Sequence, residues 1–443
     1  MNTKTSSLLF TLATISCVSF TVSQAQVLST CHPVANTPQP EFAVSSASDG
    51  TNFLIGICAQ TGSADIVGAQ LLSPAGSRVG NFINSGHTMA GFADAPRVAF
   101  GAGNYLMVWT DAASHHPASG NDIFAQFVSP TGNLVGNAFP VSGATGDQSA
   151  RGAAFDGENF LVIWTGEDGL RGRRLSPAGQ LQGVELLFTT EDAQEAAAVA
   201  YGGGKYFVTW VEGTDGAHAA KGRLVSALGE LGEVLLLSQT NSHFYNPISV
   251  AFGEDRFMVA WHHNAEEDAD WDLRGRMVRP DGTMPGGELV LAQEAVEEFA
   301  WANNVVFDGE DFLLVWAQAE NPLSTNGVVL GQYWTRNGTA KDRPFVIDST
   351  PRAKFGLGLS KGNGQLLVLF DMDLLAATAD VCARTVYRPT VAITPFGSHN
   401  VQVIFTGVLQ YSSDLTHWMD YSPQPVSPWT TPATQAAMFF RAR

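Results

Sequence analysis

A short run of aromatic and aliphatic residues, preceded by Gly and a small or acidic residue, recurs along the chain. Its copies are spaced by about 50 residues, a period typical of repeat architectures. Runs of this length, rich in β-branched and aromatic residues, predict short β-strands, and no segment shows sustained helical periodicity. Five copies end in tryptophan, at Trp109, Trp164, Trp210, Trp261 and Trp316. Two weaker copies end instead at Ile57 and Phe370.

A second signature, a small residue followed by Gln or Arg, lies downstream of each run. A turn carrying Gly follows six of the copies, as expected for tight reversals between antiparallel strands. We expect the Gln and Arg side chains to bind backbone groups between repeats rather than to form a ligand ring. The seven copies are Ala69-Gln70, Ala125-Gln126, Gly172-Arg173, Gly222-Arg223, Gly275-Arg276, Gly331-Gln332 and Ala383-Arg384.

Each repeat divides into four short strands, which in the second copy are residues 97–100, 104–109, 122–129 and 138–142. Four-stranded units with a repeated aromatic are typical of propeller blades. The sequence therefore predicts an all-β fold, a seven-bladed β-propeller over residues 26–388. The five tryptophans are predicted to be structural, as large flat groups that pack blade against blade.

The seventh repeat lacks an obvious fourth strand after Tyr387, whereas residues 26–29 resemble the fourth strands of other repeats. An open ring would expose two sheet edges. We therefore predict that the N-terminal segment closes the propeller as the outer strand of blade seven.

Residues 1–25 have the features of an export signal: Lys4, an apolar run over 8–22, and small residues at a cleavage site ending at Ala25. We predict a secreted protein, extracellular or periplasmic, with association with the cell surface as an alternative. No later run reaches the length of a transmembrane helix, so no transmembrane segment is expected.

Cleavage after Ala25 leaves three cysteines, Cys31, Cys58 and Cys382. An odd number in an oxidising compartment predicts one disulfide and a free thiol, or no disulfide. Spacing does not choose a pairing. The predicted closing strand places Cys31 beside the strand that holds Cys382, which favours that pair, and Cys31–Cys58 is the alternative.

The repeats resemble those of secreted bacterial β-propellers with the pattern Asp-Gly-x-x-Phe-Leu-Val-Val-Trp … Gly-Gln-Arg-Val-Ser-Pro-x-Gly. Residues 156–164, 172–177 and 308–316 carry the match. After Pro389 the repeat stops, and residues 389–443 are predicted to be a small C-terminal β module. This tail is similar to a module of exported bacterial proteins with Leu-Gln-x-Ser-x-Asp-Leu-x-x-Trp, here at 409–418. The resemblance implies a fold and no catalytic residue.

The chain has 42 acidic and 24 basic residues and a formal charge of −18. This balance argues against nucleic acid or an anionic membrane surface as a partner, since both attract cationic proteins. An apolar fraction of 45% excludes a wholly disordered chain.

The loops after strands two and four of each repeat share one side of a propeller, which we call the long-loop face. It is predicted to be the working surface, because its loops are long, acidic and rich in His. The loops after strand two are residues 111–121, 166–169, 212–219, 262–271, 317–326 and 371–379. The candidate binding residues are His115, His116, His262, His263, Glu266, Glu267, Asp268 and Asp270.

Asp268, Asp270 and Asp272 alternate like the ligands of a calcium loop. The loop lacks the Gly and Glu that such a site uses, with Leu273 and Arg279 in their places. No cofactor is therefore predicted, and calcium is the alternative. The sequence carries no nucleophile elbow, zinc-protease pair or phosphate-binding Gly loop, so no catalytic residue is assigned.

These features predict an exported, monomeric, non-enzymatic propeller that binds a protein or a glycan on its long-loop face. A carbohydrate-active hydrolase or lyase with axial carboxylates is the first alternative. A structural component of the cell surface is the second. The enzyme would need two convergent carboxyl groups in one pocket.

Overall fold

The computed structural model describes twenty stretches of the chain, and all of their regular structure is β. They are residues 26–27, 31–34, 40–60, 65–89, 95–113, 118–190, 193–213, 218–238, 247–264, 272–292, 299–319, 327–352, 354–372, 380–387, 391–396, 400–405, 409–412, 417, 419–432 and 439–442. Across these stretches no helix has the length and apolar character needed to cross a membrane. The predicted signal segment, 1–25, lies outside them.

The chain divides into two compact units, Val27–Tyr387 and a smaller one whose described strands lie between Val391 and Ala442. The strands up to Tyr387 are β1 (Gln26–Val27), β2 (His32–Pro33), β3 (Glu41–Ser48), β4 (Phe53–Gln60), β5 (Asp65–Leu72), β6 (Arg78–Met89), β7 (Arg97–Gly101), β8 (Asn104–Asp111), β9 (Asp122–Val128), β10 (Leu134–Ser142), β11 (Ser149–Phe155), β12 (Phe160–Gly166), β13 (Gly169–Leu175), β14 (Leu181–Thr189), β15 (Ala193–Gly202), β16 (Lys205–Glu212), β17 (Ala219–Ser226), β18 (Leu231–Leu236), β19 (Ile248–Gly253), β20 (Arg256–His263), β21 (Asp272–Val278), β22 (Leu289–Ala292), β23 (Phe299–Phe307), β24 (Phe312–Ala319), β25 (Val328–Trp334), β26 (Ala340–Asp348), β27 (Lys354–Gly362), β28 (Gln365–Met372) and β29 (Asp380–Tyr387).

Four repeats each form one antiparallel four-stranded sheet, in the strand orders β11-β12-β13-β14, β15-β16-β17-β18, β19-β20-β21-β22 and β23-β24-β25-β26. Strand positions in the second repeat, β7 to β10, follow the predicted ones, but the fourth strand begins at Leu134 instead of residue 138. The first strand of each repeat contacts the first strand of the next. The repeat period seen in the sequence is thus one sheet or sheet segment per copy.

The first two repeats share a single eight-stranded sheet instead of forming two separate ones. Their connection is β6, which has 12 residues and reaches far enough to pair Met89 with Asp111 of β8. The sequence predicts a separate four-stranded unit for each repeat. The other repeats have shorter fourth strands, and their described residues form no such link.

Two short N-terminal strands, β1 and β2, pair with β29 in the last repeat. In β2, His32 lies opposite Ala383 and Pro33 opposite Cys382. Cys31 and Cys382 form a disulfide, with Cα atoms 5.4 Å apart, and Cys58 is a free, buried thiol. The predicted closing strand, residues 26–29, is a strand at Gln26–Val27 and lies outside the described residues at 28–29, and β2 adds a second short strand beyond Cys31.

Burial falls from the second strand of each repeat to the fourth. The second strands are almost fully buried, and Trp109, Trp164, Trp210, Trp261 and Trp316 are at most 1% exposed. The apolar core consists of clusters that each join neighbouring repeats. A further cluster joins the first repeat, through Ile55 and Ile57, to Leu367 and Leu369 of the last. The flat aromatic groups therefore fill the space between sheets.

Three of the seven repeated Gln and Arg side chains, Gln70, Gln126 and Arg223, donate to backbone carbonyls, and of these only Arg223 does so between repeats as predicted. Arg384 instead binds the carboxylate of Asp348. Nε2 of Gln70 and of Gln126 donates to Val79 and Gly136 on the fourth strand of the same repeat. Arg223 donates to Gly232 of its own repeat and to Leu187 and Phe188 of the preceding one. These side chains thus connect strands within and between repeats.

The repeated Asp-Gly turn between the first two strands is stabilised by its aspartate. In Asp49, Asp156 and Asp308 the Oδ1 atom accepts hydrogen bonds from the N–H groups two and three residues later, at 2.6–2.9 Å. Such side-chain caps are the reason that Asp favours tight turns.

The smaller unit contains two three-stranded antiparallel sheets, in the orders β30-β31-β34 and β33-β32-β35. Its small core is formed by Val403, Phe405 and Leu409, with Tyr421 and Trp429 packed against them. The strands are β30 (Val391–Phe396), β31 (Asn400–Phe405), β32 (Leu409–Ser412), β33 (Met419–Asp420), β34 (Trp429–Pro432) and β35 (Phe439–Ala442).

Candidate functional site

Six of the eight candidate binding residues lie outside the described residues. They are His115, His116, Glu266, Glu267, Asp268 and Asp270. Their role in binding, and a calcium ion at Asp268 and Asp270, therefore stay predictions. The described residues contain no group of three or more His, Cys, Asp or Glu side chains that could hold a metal ion.

His262 and His263 were predicted in an exposed loop, and that placement is wrong. Both belong to β20, where they lie opposite Leu273 and Asp272, and they are 1% and 5% exposed. Burial lowers the pKa of His262 to about 3. Burial, together with the charge of Arg274, also lowers the pKa of His263. Both rings are therefore neutral at physiological pH and belong to the core, because the strand continues for two residues beyond Trp261.

The loop predicted at residues 166–169 is also shorter than expected. β12 ends at Gly166 and β13 begins at Gly169, which are paired with each other. Gly169 has a φ of 116°. A Cβ atom there would collide with the carbonyl of Thr189, so the tight turn requires glycine. The connection after β12 is therefore a tight turn of two residues, and the end of β14 lies beside it.

Polar side chains two residues after the repeated tryptophan accept a hydrogen bond from its indole. Trp109 donates to Asp111 at 2.9 Å, Trp210 to Glu212 at 2.6 Å, and Trp316 to Gln318 at 3.3 Å. All three acceptors lie at the loop end of the second strand. The sequence signal for this hydrogen bond is the pattern Trp-x-(Asp, Glu or Gln) in these three repeats.

The fourth strand of the preceding repeat supplies a second donor to two of these carboxylates. His87 Nδ1 lies 3.0 Å from Asp111 Oδ1, and Thr189 Oγ1 donates to Glu212 at 3.0 Å. Neighbouring repeats are thus joined at the loop end through a buried carboxylate.

Glu212 has a third partner, the ammonium group of Lys221, with which it forms an ion pair. Its side chain is 8% exposed and that of Lys221 is 29% exposed. Burial alone would raise the pKa of Glu212, but hydrogen bonds from Lys221, Trp210 and Thr189 outweigh it and lower the pKa. Glu212 is therefore ionised at neutral pH.

A pocket of about 440 Å³ opens beside Glu212, between the sheets β11–β14 and β15–β18. We call it the Glu212 pocket. Its volume falls within the range of ligand sites, about 300–1,000 Å³. The described residues that line it are Leu187, Phe188, Thr189, Thr190, Trp210, Glu212, Lys221, Arg223 and Val234.

Two cationic side chains of β17 line this pocket, Lys221 and Arg223. Lys221 Nζ bonds only Glu212 among the described residues, so it retains donor capacity. Arg223 uses Nε and Nη1 for carbonyls, and its Nη2 has no partner in the described ranges. Sequence reasoning missed Lys221 and Thr189, because side chains of two different repeats form the pocket.

The enzyme alternative requires carboxylates near the axis of a propeller, on the first strand of each repeat. These strands contain few acidic residues. Glu41 in β3 and Glu195 in β15 are the only ones in the seven first strands. Hydrolysis of a glycosidic bond requires two carboxyl groups about 5–10 Å apart. Glu41 and Glu195 lie in different repeats, the first and the fourth.

Two other buried carboxylates lie at junctions of the last repeat, Asp348 at its junction with the sixth repeat and Asp371 at its junction with the first. Asp348 lies 3.1 Å from Lys354 Nζ, both fully buried, and also binds Arg384. Asp371 is 3% exposed and accepts a hydrogen bond from the N–H of Ala43 at 3.1 Å. Burial raises the pKa of Asp371 well above its usual value. Neither residue lines the Glu212 pocket.

No known family model and no curated protein matches this chain. Solved structures do resemble it. The subtype N10 neuraminidase-like protein of A/little yellow-shouldered bat/Guatemala is 9% identical, with 82% of this chain and 99% of that chain covered and a TM-score of 0.44. The Dos1 propeller is 11% identical, with 80% and 95% covered and a TM-score of 0.44. The β-propeller domain of the Trilobed protease from Pyrococcus furiosus is 9% identical, with 78% and 93% covered and a TM-score of 0.44.

Proposed function

We propose that Val27–Tyr387 is a closed seven-bladed β-propeller that serves as an exported, non-enzymatic binding module. Its ligand, a protein or a glycan, would bind on the long-loop face. The observation that carries this proposal is the Glu212 pocket, which presents fixed polar groups and a single carboxylate. That carboxylate is already engaged by three donors.

Contacts between the last and first repeats support closure. β27 contacts β3, as each first strand contacts the next. Oγ atoms of Ser46 and Ser360 lie 2.7 Å apart across this junction. Gly362 packs against Ser48, as Gly202 packs against Phe252 between other repeats. A solution scattering profile would test closure, because an open array of sheets has a longer maximum dimension than a closed ring.

Export is supported by the N-terminal sequence and by the disulfide. Disulfides persist in oxidising compartments and are rare in the cytosol. Fractionation of the producing cell tests this proposal. We expect the mature chain, starting at Gln26, outside the cytoplasm, and an uncleaved cytoplasmic chain would contradict it.

Binding and catalysis are separated by one set of experiments on the full mature chain. We expect retention of a ligand on a glycan array or in a protein-binding screen, with no chemical change in that ligand. New reducing ends or unsaturated products would instead establish a hydrolase or a lyase. The screen is repeated with calcium and with a chelator, because the acidic loop at Asp268 and Asp270 could bind that ion.

Deletion of residues 389–443 tests the structural alternative. A binding module should keep its ligand without this segment. If the truncated chain is lost from the cell surface and the full chain has no ligand, the protein is a structural component of that surface.

A further inference from the structure

We infer that the Glu212 pocket binds the anionic group of an acidic sugar, a carboxylate or a sulfate. This inference rests on the proposed function, since it names the ligand class of the same face. It begins from the charge of the pocket. Lys221 and Arg223 carry two positive charges there against the single negative charge of Glu212.

A local positive excess is unusual for a chain with a formal charge of −18. The charge of Glu212 is also directed away from a ligand, because Trp210, Thr189 and Lys221 already bind both of its oxygens. An incoming anion would therefore meet the spare N–H groups of Lys221 and Arg223. Charge-assisted hydrogen bonds of this kind are among the strongest in proteins.

Lys221 and Arg223 are two residues apart on β17, so their side chains leave the same face of the strand. Arg223 is held in place by the carbonyls of Gly232, Leu187 and Phe188. Its free Nη2 is therefore a positioned donor, which lowers the entropy cost of binding.

The size and the neutral lining of the pocket favour a sugar over a protein side chain. About 440 Å³ fits a small ligand, and the exposed hydroxyl of Thr190 beside the buried Phe188 offers hydrogen bonding next to an apolar wall. Protein partners usually bury about 800 Å² of a flatter surface. An acidic sugar matches the pocket in charge, size and polarity.

Titration calorimetry on the full mature chain tests the inference with defined probes. The charged probes are an oligogalacturonate and a sulfated chondroitin disaccharide, and the neutral probes are the methyl-esterified and unsulfated forms. We expect one charged probe to bind at least about tenfold more tightly than its neutral form, and less tightly at high salt. Which charged probe binds distinguishes carboxylate from sulfate.

Variants locate the binding. Lys221→Gln and Arg223→Gln should each weaken binding about tenfold or more, and Lys221→Arg should retain it. Lys341→Gln is the matched control. Lys341 is 30% exposed and ion-paired with Asp311, much as Lys221 is with Glu212, but it lies outside the Glu212 pocket. Arg174→Gln is the second control, since Arg174 also donates to a backbone carbonyl. Circular dichroism spectra confirm that each variant is folded.

Three results would overturn the inference. These are equal binding of neutral and charged sugars, charged-sugar binding that Lys221→Gln leaves unchanged, and equal binding of a polyglutamate peptide. In each case the chain still has a ligand, so the proposed binding function survives. Absence of any ligand in the wider screen would contradict the proposed function itself.

Discussion

Two buried aspartates, Asp348 and Asp371, differ in the charges that surround them. Asp348 lies between Lys354 and Arg384, whereas Asp371 has one backbone N–H donor, that of Ala43. Burial raises the pKa of both, but for Asp348 the hydrogen bonds of Thr350 and the charges of Lys354 and Arg384 produce a net lowering. The same side chain therefore has opposite effects on stability at the two positions.

Asp371→Asn should stabilise the protein at neutral pH. The folded-state pKa of Asp371 exceeds its unfolded value, so its contribution is fully present below about pH 4 and is lost as pH rises through the folded-state pKa. Asparagine keeps an acceptor for Ala43 and removes the buried charge. We expect a gain of at least about 1 kcal/mol at neutral pH, since burying an unpaired carboxylate costs several kcal/mol.

Urea unfolding at acidic and neutral pH measures this effect. The gain should shrink as pH falls through about 4, because wild-type Asp371 then becomes protonated in the unfolded state as well as in the folded state. A variant that is less stable than the wild type at neutral pH would show that Asp371 is compensated as an anion.

Asp348→Asn should do the opposite and destabilise the protein at neutral pH. It leaves Lys354, which is fully buried, without its carboxylate, and breaking a buried pair costs about 3–5 kcal/mol. The folded-state pKa of Asp348 is lowered, so its contribution is present above about pH 4 and is lost as pH falls through that folded-state pKa. Urea unfolding of Asp348→Asn, measured at neutral pH together with Asp371→Asn and the wild type, tests the prediction. Equal stability of wild type and Asp348→Asn would contradict it.

At the scale of strands, sequence periodicity predicted most of the elements but not their ends. The aromatic runs predicted the position of the second strand of each repeat, because these strands are buried on both faces and are the most apolar. Their polar ends were harder to assign. His262 and His263 look like loop residues in the sequence, yet β20 includes them, because the ladder to β21 continues past Trp261.

The Glu212 pocket was harder still to predict. Thr189 is the last residue of the fourth strand of one repeat, and Lys221 lies in the third strand of the next. Nothing in either local pattern indicates that their side chains bind the same carboxylate. Only the packing of two sheets, which depends on contacts distant in sequence, brings them together.

Glycines at the ends of first strands fix the distance between neighbouring repeats. A Cβ atom on Gly202 would overlap the ring of Phe252, and Gly253 has the same relation to Phe307. We expect Gly202→Ala to cost about 1–3 kcal/mol, as overpacking of a core does. Gly287→Ala is the control, because nothing lies within 4 Å of its Cβ position. Thermal unfolding of the two variants distinguishes them, and equal midpoints would argue against close packing at Gly202.

At the scale of the whole molecule, the Cys31–Cys382 disulfide links residues 351 positions apart. Such a cross-link restricts the unfolded chain much more than the folded one, where β2 already lies beside β29. In the chain-entropy model a loop this long stabilises the folded state by about 4 kcal/mol or more. The described N-terminal strands, β1 and β2, have only two residues each, so we expect the disulfide to have the larger part in holding them.

The double variant Cys31→Ser, Cys382→Ser should therefore unfold at a lower temperature than the wild type. A reductant should lower the wild-type midpoint to that of the variant and leave the variant unchanged.

Cys58 provides an internal check, because burial raises its pKa and protects the thiol from reagents in the folded chain. Under non-reducing denaturation the mature wild type should expose one reactive thiol. Three reactive thiols, or an unchanged midpoint in the variant, would mean that β2 is held by strand pairing and core contacts without a covalent link.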